Sequence, residues 1–424
     1  MPVETRTTIT IGRLRSIDAL RGAAALGVVL YHAAGTLVLP ASSSAIERWT
    51  IRPVQWFSSF GYTGVFLFFV ISGFCIHLQW ARVAATGATP QIHFLAFWKR
   101  RARRLYPPYL AALALYLIIA LFTSRVELNA FYLWDVSLHL LMLHNLDART
   151  VYSINGVFWT LAIEEQLYLA YFLLLFLRRR FGWTSALLCC ALVRVLWFAC
   201  APLLKSTFGY EVPLTESALS HWFTWALGAL CVEAAVGLIL LPAWCRKLRS
   251  AIIVLLAAVC LSYLLPLAGS SPVLHEFGLL LLHPLWGAGF FLLVYYAVNK
   301  EQARQSNSPT LTDSTTPTNS QAPRFIAWLA FVGIFSYSLY LTHQLVIMES
   351  YLFFVLRLPT TLTPFILTTP ACLVFAWMFF RVCERPFLSS RAAKTITASI
   401  ETTEATNKIE SGASASSAPI ANTK

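Results

Sequence analysis

Apolar residues run along this chain in blocks of helical length, separated by short polar or basic stretches, from near the N-terminus to about residue 381. A helix rises 1.5 Å per residue, so a hydrocarbon core roughly 30 Å thick needs about 20 apolar residues. By that measure the pattern predicts ten spans, over residues 17–39, 60–80, 105–123, 157–177, 184–204, 219–241, 251–268, 277–298, 326–349 and 361–381. The expected fold class is all-α, a polytopic membrane protein of about ten transmembrane helices. Residues 1–16 read as an N-terminal segment, 17–388 as one membrane domain, and 389–424 as a tail. The tail and the stretch 301–323 have too few apolar residues to pack and are expected to be disordered. Segment 124–156 differs, because FYLWDVSLHLLMLHNL has apolar residues at helical spacing. It is expected to lie along the outer interface or to fold back over a site.

Composition sharpens this picture. Of 424 residues 58% are apolar and 12% charged, against roughly 25% charged in a soluble domain. An ordinary soluble enzyme is excluded. The excess of 32 Lys+Arg over 19 Asp+Glu does not indicate nucleic acid, because the basic residues sit in short clusters beside apolar spans. With the N-terminus inside, the inner segments carry 24 Lys/Arg and the outer ones 6, so both termini are expected in the cytoplasm. The polar start, with Arg6, Arg13 and Arg15, does not read as a cleavable signal. The nine cysteines include no CxxC pair, and residues such as Cys189 and Cys190 read as small core hydrophobes. No metal site is expected.

Charged side chains inside a bilayer are costly and are kept mainly for pairing, ion paths or chemistry. The first span holds Asp18, Arg21 and His32. Eleven residues separate Arg21 from His32, close to three turns, which puts both on one face about 16 Å apart. Asp18 stands one turn before Arg21 and can pair with it; the structural alternative makes these two interfacial anchors and His32 a core histidine. In VFWTLAIEEQLYLAYF, Glu164 and Glu165 diverge by about 100°, so only one can face a site, with Tyr168 a turn further on. Counting rise per residue puts His32, Glu164 and His343 in the outer third of the membrane. Arg21 and the cluster KRRARRLYPP (99–108) fall at the inner face. There Arg101 and Arg104 stand one turn apart at an expected helix start, as a phosphate clamp requires, or merely stop translocation. Ser72, in FFVISGF, either packs where helices approach closely or lines a site. Phosphate-loop, HExxH, GxSxG and dinucleotide motifs are absent.

Across residues 14–388 the chain resembles the acyltransferase 3 family of integral-membrane acyltransferases, which acylate bacterial surface glycans and some small molecules. The resemblance rests on SIDALRGAAALGVVLYH, GVFLFFVISGF, RRARRLYP, FWTLAIEEQLY, SYSLYLTH and the closing ERPF, in that order. Thr160 stands where the family commonly has Ser. The resemblance implies ten spans in a bacterial inner membrane and an acyl-coenzyme A donor, acetyl-CoA first, on the cytoplasmic side. It implies a glycan or glycolipid acceptor, His32 as the catalytic histidine, and Arg21, Arg101 and Arg104 on the donor side. The fused extracytoplasmic domain of some members is expected to be lacking. On this reading Glu164, at the level of His32, is expected to orient it. His32 can serve as general base or as covalent acyl carrier. On composition alone a secondary transporter, with His and Glu as a proton relay, fits as well.

Overall fold

The computed structural model describes residues 14–37, 44–267, 272–306, 323–355 and 362–388. The tail, most of the stretch 301–323 and residues 1–13 lie outside them. Among the described residues the chain is all helical: α1 Arg15–Ala34, α2 Ala45–Ser59, α3 Gly64–Ala85, α4 Phe94–Phe122, α5 Ala130–Leu140, α6 Trp159–Phe208, α7 Ala218–Ala235, α8 Leu248–Leu267, α9 Pro272–Ser306, α10 Arg324–Ile334, α11 Ser336–Val355 and α12 Leu362–Phe379. Seven helical stretches are long and apolar enough to cross a membrane, or eight if the bent pair α10–α11 is one span. The outward faces of α6 and α8 carry exposed Leu, Ile and Phe, such as Leu188, Leu192 and Ile253, as surfaces against lipid should.

Several boundaries differ from the expected ones, each for a local reason. The 50-residue α6 contains one non-helical residue, Gly182, at φ 82° and ψ 176°. At 1.5 Å per residue an unbroken helix of that length would be more than twice as long as a hydrocarbon core is thick, and glycine alone takes this φ without strain. The expected ninth span is broken, with α10 and α11 meeting at 79°. Glu384, from the closing ERPF, secures the break: its Oε2 accepts from Ser338 N at 3.2 Å and Ser338 Oγ at 2.6 Å. Residues 301–306 extend α9 rather than a loop. Glu301 accepts from Arg15 N and Ser16 N at 2.9 Å each, satisfying free N–H groups at the start of α1. Outside the expected spans, α2 adds an amphipathic helix with exposed Ile46, Trp49, Trp56 and Phe57.

Glycine lets the central helices touch backbone to backbone. A Cβ on Gly73 of α3 would lie 2.0 Å from the Trp225 carbonyl oxygen of α7, and one on Gly228 of α7 would lie 2.0 Å from that of Val70. The same reciprocity joins α1 to α10, where Gly22 meets the Leu329 oxygen and Gly333 the Asp18 oxygen. Small residues at helix crossings are the usual route to close packing in lipid, where burial of apolar surface drives nothing. These contacts fix α1 and α3, which carry the site.

Candidate active site

Helix α1 presents Arg21 and His32 to two different cavities. The first has a volume of about 140 Å³ and is lined by Arg21, Ser72, Arg101, Arg104, Glu164 and Tyr168, with Cys75, Thr160, Tyr337 and Tyr340 among its other walls. Both arginines of the pair come from α4, which begins at Phe94, so they stand in its second and third turns rather than at its start. The helix N-terminus therefore contributes nothing to them. Their guanidinium groups do: three cations face one carboxylate here. Arg101 Cζ lies 5.6 Å from the Phe97 ring centre. Its Nε is buried with no hydrogen-bond partner among the described residues. A buried cationic donor without an acceptor suits an anionic ligand such as a phosphate.

Glu164 is the carboxylate of this cavity. Its Oε1 accepts from Tyr168 Oη at 2.5 Å and Ser72 Oγ at 2.8 Å, and Trp225 Nε1 donates to Ser72 Oγ at 3.2 Å. The neighbour Glu165 points elsewhere, accepting from Trp98 Nε1 at 2.6 Å, as the divergence of adjacent helix positions requires. Ser72 thus lines the cavity, and the close packing falls to Gly73 beside it. Asp18, half-buried on α1, has its backbone against Gly333 and does not line this cavity.

His32 lies elsewhere. It lines a separate opening with Tyr31, Ala34, Gly35, Gln55 and Ser59. Its Nδ1 is 3.3 Å from the Gln344 side-chain nitrogen, and its ring centre is 5.2 Å from that of His343. His343 is fully buried and donates Nδ1–H to the carbonyl oxygens of Tyr340 at 2.8 Å and Leu339 at 3.1 Å. The expected contact between His32 and Glu164 does not occur among the described residues. Counting residues set their depth but not the direction in which each helix turns its face: Glu164 looks toward α3, and His32 toward α2 and α11. Between the two cavities stand His343 and Tyr340, ring centres 5.7 Å apart, and the Tyr340 hydroxyl accepts from Thr160 Oγ1 at 2.9 Å.

A further buried polar cluster escaped the sequence reading. Glu233 of α7 is completely buried and binds His77 Nε2 at 2.9 Å, Arg178 at 2.6 Å and Trp183 Nε1 at 2.9 Å. Arg178 and Trp183 flank Gly182 and His77 stands on α3, so the cluster ties the α6 break to α3 and α7. Its signal was present, since Glu233 and His77 fall within expected spans. Gln344 gave none, being neutral. Among the described residues no three His, Cys, Asp or Glu side chains gather as a metal site would require.

An all-helical membrane architecture with a cationic cavity and a separate histidine opening fits group transfer from an anionic donor. The chain belongs to the acyltransferase 3 family, whose acyltransferase domain matches residues 14–381. It is 32% identical over 186 residues to the O-acetyltransferase OatA of Staphylococcus aureus strain NCTC 8325 / PS 47, and equally to those of strains COL and MRSA252. That match takes in 40% of this chain and only 26% of each relative. No solved structure matches the chain. Membership of this family favours acyl transfer over transport.

Proposed function

We propose that this protein is a bacterial inner-membrane O-acyltransferase that moves an acetyl group from cytoplasmic acetyl-CoA to a hydroxyl of a surface glycan or glycolipid. One observation carries the reading: a single helix offers Arg21 to an arginine-lined cavity at one end and His32 to a separate opening at the other. Donor and acceptor then approach from opposite sides. The Lys/Arg bias supports placing the arginine cavity on the cytoplasmic side. Ten crossings follow if α1, α3, α4, the two halves of α6, α7, α8, α9, the pair α10–α11 and α12 each span once, within a membrane domain of residues 17–388.

In this scheme Arg21, Arg101 and Arg104 hold the coenzyme phosphates, and Glu164, Ser72 and Tyr168 line the path of the pantetheine arm. His32 takes the proton of the acceptor hydroxyl as its oxygen bonds to the acyl carbon. The thioester C–S bond breaks, and the coenzyme leaves as the thiol, carrying that proton. The acyl end must pass the layer of Tyr340 and His343 to reach His32. The acetyl group is favoured by the name of the S. aureus relatives.

The test uses purified protein in lipid nanodiscs with acetyl-labelled CoA and envelope glycan from a deletion strain. Label should move to the glycan as a base-labile ester, with release of free CoA. Thioester consumption that is indifferent to the glycan, or none at all, would contradict the proposal.

A further inference from the structure

Among the described residues the carboxylate expected beside His32 is not found, and another side chain holds that position. Gln344, the residue after His343 on α11, places its amide nitrogen 3.3 Å from His32 Nδ1, which accepts in this orientation. The amide is itself confined. Gly156, in the turn before α6, lies so close that a Cβ there would meet Gln344 Oε1 at 3.2 Å and Nε2 at 3.3 Å. The His32 ring is bounded by Tyr31, 5.0 Å away between ring centres, and by His343. With Nδ1 taken by Gln344, Nε2 is the nitrogen left for chemistry.

We propose that Gln344 is the positioning residue for His32, selecting the tautomer in which His32 acts; this rests on His32 being the base of the reaction. An imidazole that accepts a proton at Nε2 must already carry one on Nδ1, and that N–H needs an acceptor. A carboxamide offers its oxygen or its nitrogen to the same place by a half-turn of its end. With the oxygen on Nδ1–H, Nε2 has a free lone pair and can take the acceptor's proton. With the nitrogen there, Nε2 carries hydrogen and cannot. When the proton arrives, both ring nitrogens become donors, and Nδ1–H keeps Gln344 Oε1 as its acceptor. Around this ring stand the titratable groups Tyr31 and His343 and the neutral Gln55, Ser59 and Gln344. Among the described residues none of these is a carboxylate, and the amide oxygen is the acceptor they provide.

The experiment compares full-length Gln344→Met, Gln344→Glu and Gly156→Ala with wild type, each folded by thermal melt, measuring kcat and both KM values with acetyl-CoA and glycan. Gln344→Met has similar length and no acceptor. It should lower kcat by about ten- to hundredfold and leave both KM values nearly unchanged. Gln344→Glu, which can only accept from Nδ1–H, should recover kcat to within a few fold of wild type. Gly156→Ala crowds the amide from its other side and should lower kcat without touching Gln344 itself. Wild-type kcat in Gln344→Met, a change confined to KM, or a Gln344→Glu enzyme as slow as Gln344→Met would overturn the inference. Full turnover in His32→Ala would instead overturn the reading of the base. An inactive His32→Ala beside a fast Gln344→Met removes the role of Gln344 alone.

Discussion

At the residue scale, a buried guanidinium nitrogen without an acceptor among the described residues marks the proposed donor site. Hydrogen bonds to charged groups are worth about 1.5–3 kcal/mol, and Arg101 Nε has none among the described residues. Arg101→Ala should therefore raise the KM for acetyl-CoA by about ten- to hundredfold with kcat near wild type. Equilibrium binding of CoA should weaken equally, and a loss confined to kcat would contradict a donor role. A second residue sets a pH dependence. His144, in the turn between α5 and α6, is completely buried and stacks on His139 with ring centres 3.9 Å apart and planes at 9°. Burial first, and then the neighbouring His139, push the His144 imidazole down to about 2. An unfolded chain takes up that proton as pH falls through about 6.5, while the folded chain does not, so this turn loses stability below that pH. His144→Phe keeps a flat ring where neither nitrogen has a partner among the described residues. It should flatten the fall in thermal midpoint between pH 7 and 5 that wild type displays; an unchanged slope would contradict the assignment. Arg21, His32, Arg101 and Arg104 were legible in the sequence because charge within or beside an apolar helix is conspicuous. The partner of His32 was not, because Gln344 is neutral and depth along a helix does not fix its facing.

At the scale of the elements, one crossing gives an asymmetric expectation. A Cβ on Gly27 of α1 would sit 3.5 Å from Gly61 Cα, an ordinary contact, but a Cβ on Gly61 would sit 1.9 Å from the Gly27 carbonyl oxygen. Gly27→Ala should be nearly silent, and Gly61→Ala should cost about 1–3 kcal/mol, read as a lowered thermal midpoint in detergent. Equal effects would contradict this packing. The helices themselves were legible, since their apolar blocks exceed any other signal in the chain. Their breaks were not. Gly182 sits where a short basic run, Arg178–Arg180, marked a loop, but the chain stays helical on both sides of it. The α10–α11 bend depends on Glu384, 46 residues from the Ser338 it holds, a pairing no local pattern encodes. The amphipathic α2 is too polar to count as a span, so the hydropathy pattern does not reveal it.

At the scale of the whole molecule, the proposal requires that the loop joining α3 to α4 and the loop before α5 lie on opposite sides of the membrane. Cysteines introduced at Thr89 and at Asn129, in a background without the exposed Cys200 and Cys260, should report this. Only Asn129→Cys should react with an impermeant reagent applied to intact cells; labelling of Thr89→Cys from outside would invert the map. The same separation divides donor binding from chemistry. The most direct measurement is therefore the paired one on His32→Ala: affinity for CoA and single-turnover acetyl transfer on the same folded, nanodisc-embedded sample. CoA should bind within about twofold of wild type, and transfer should fall by about a hundredfold or more. A correctly inserted His32→Ala protein that transfers acetyl at the wild-type rate would contradict the placement of the chemistry at the histidine end of α1.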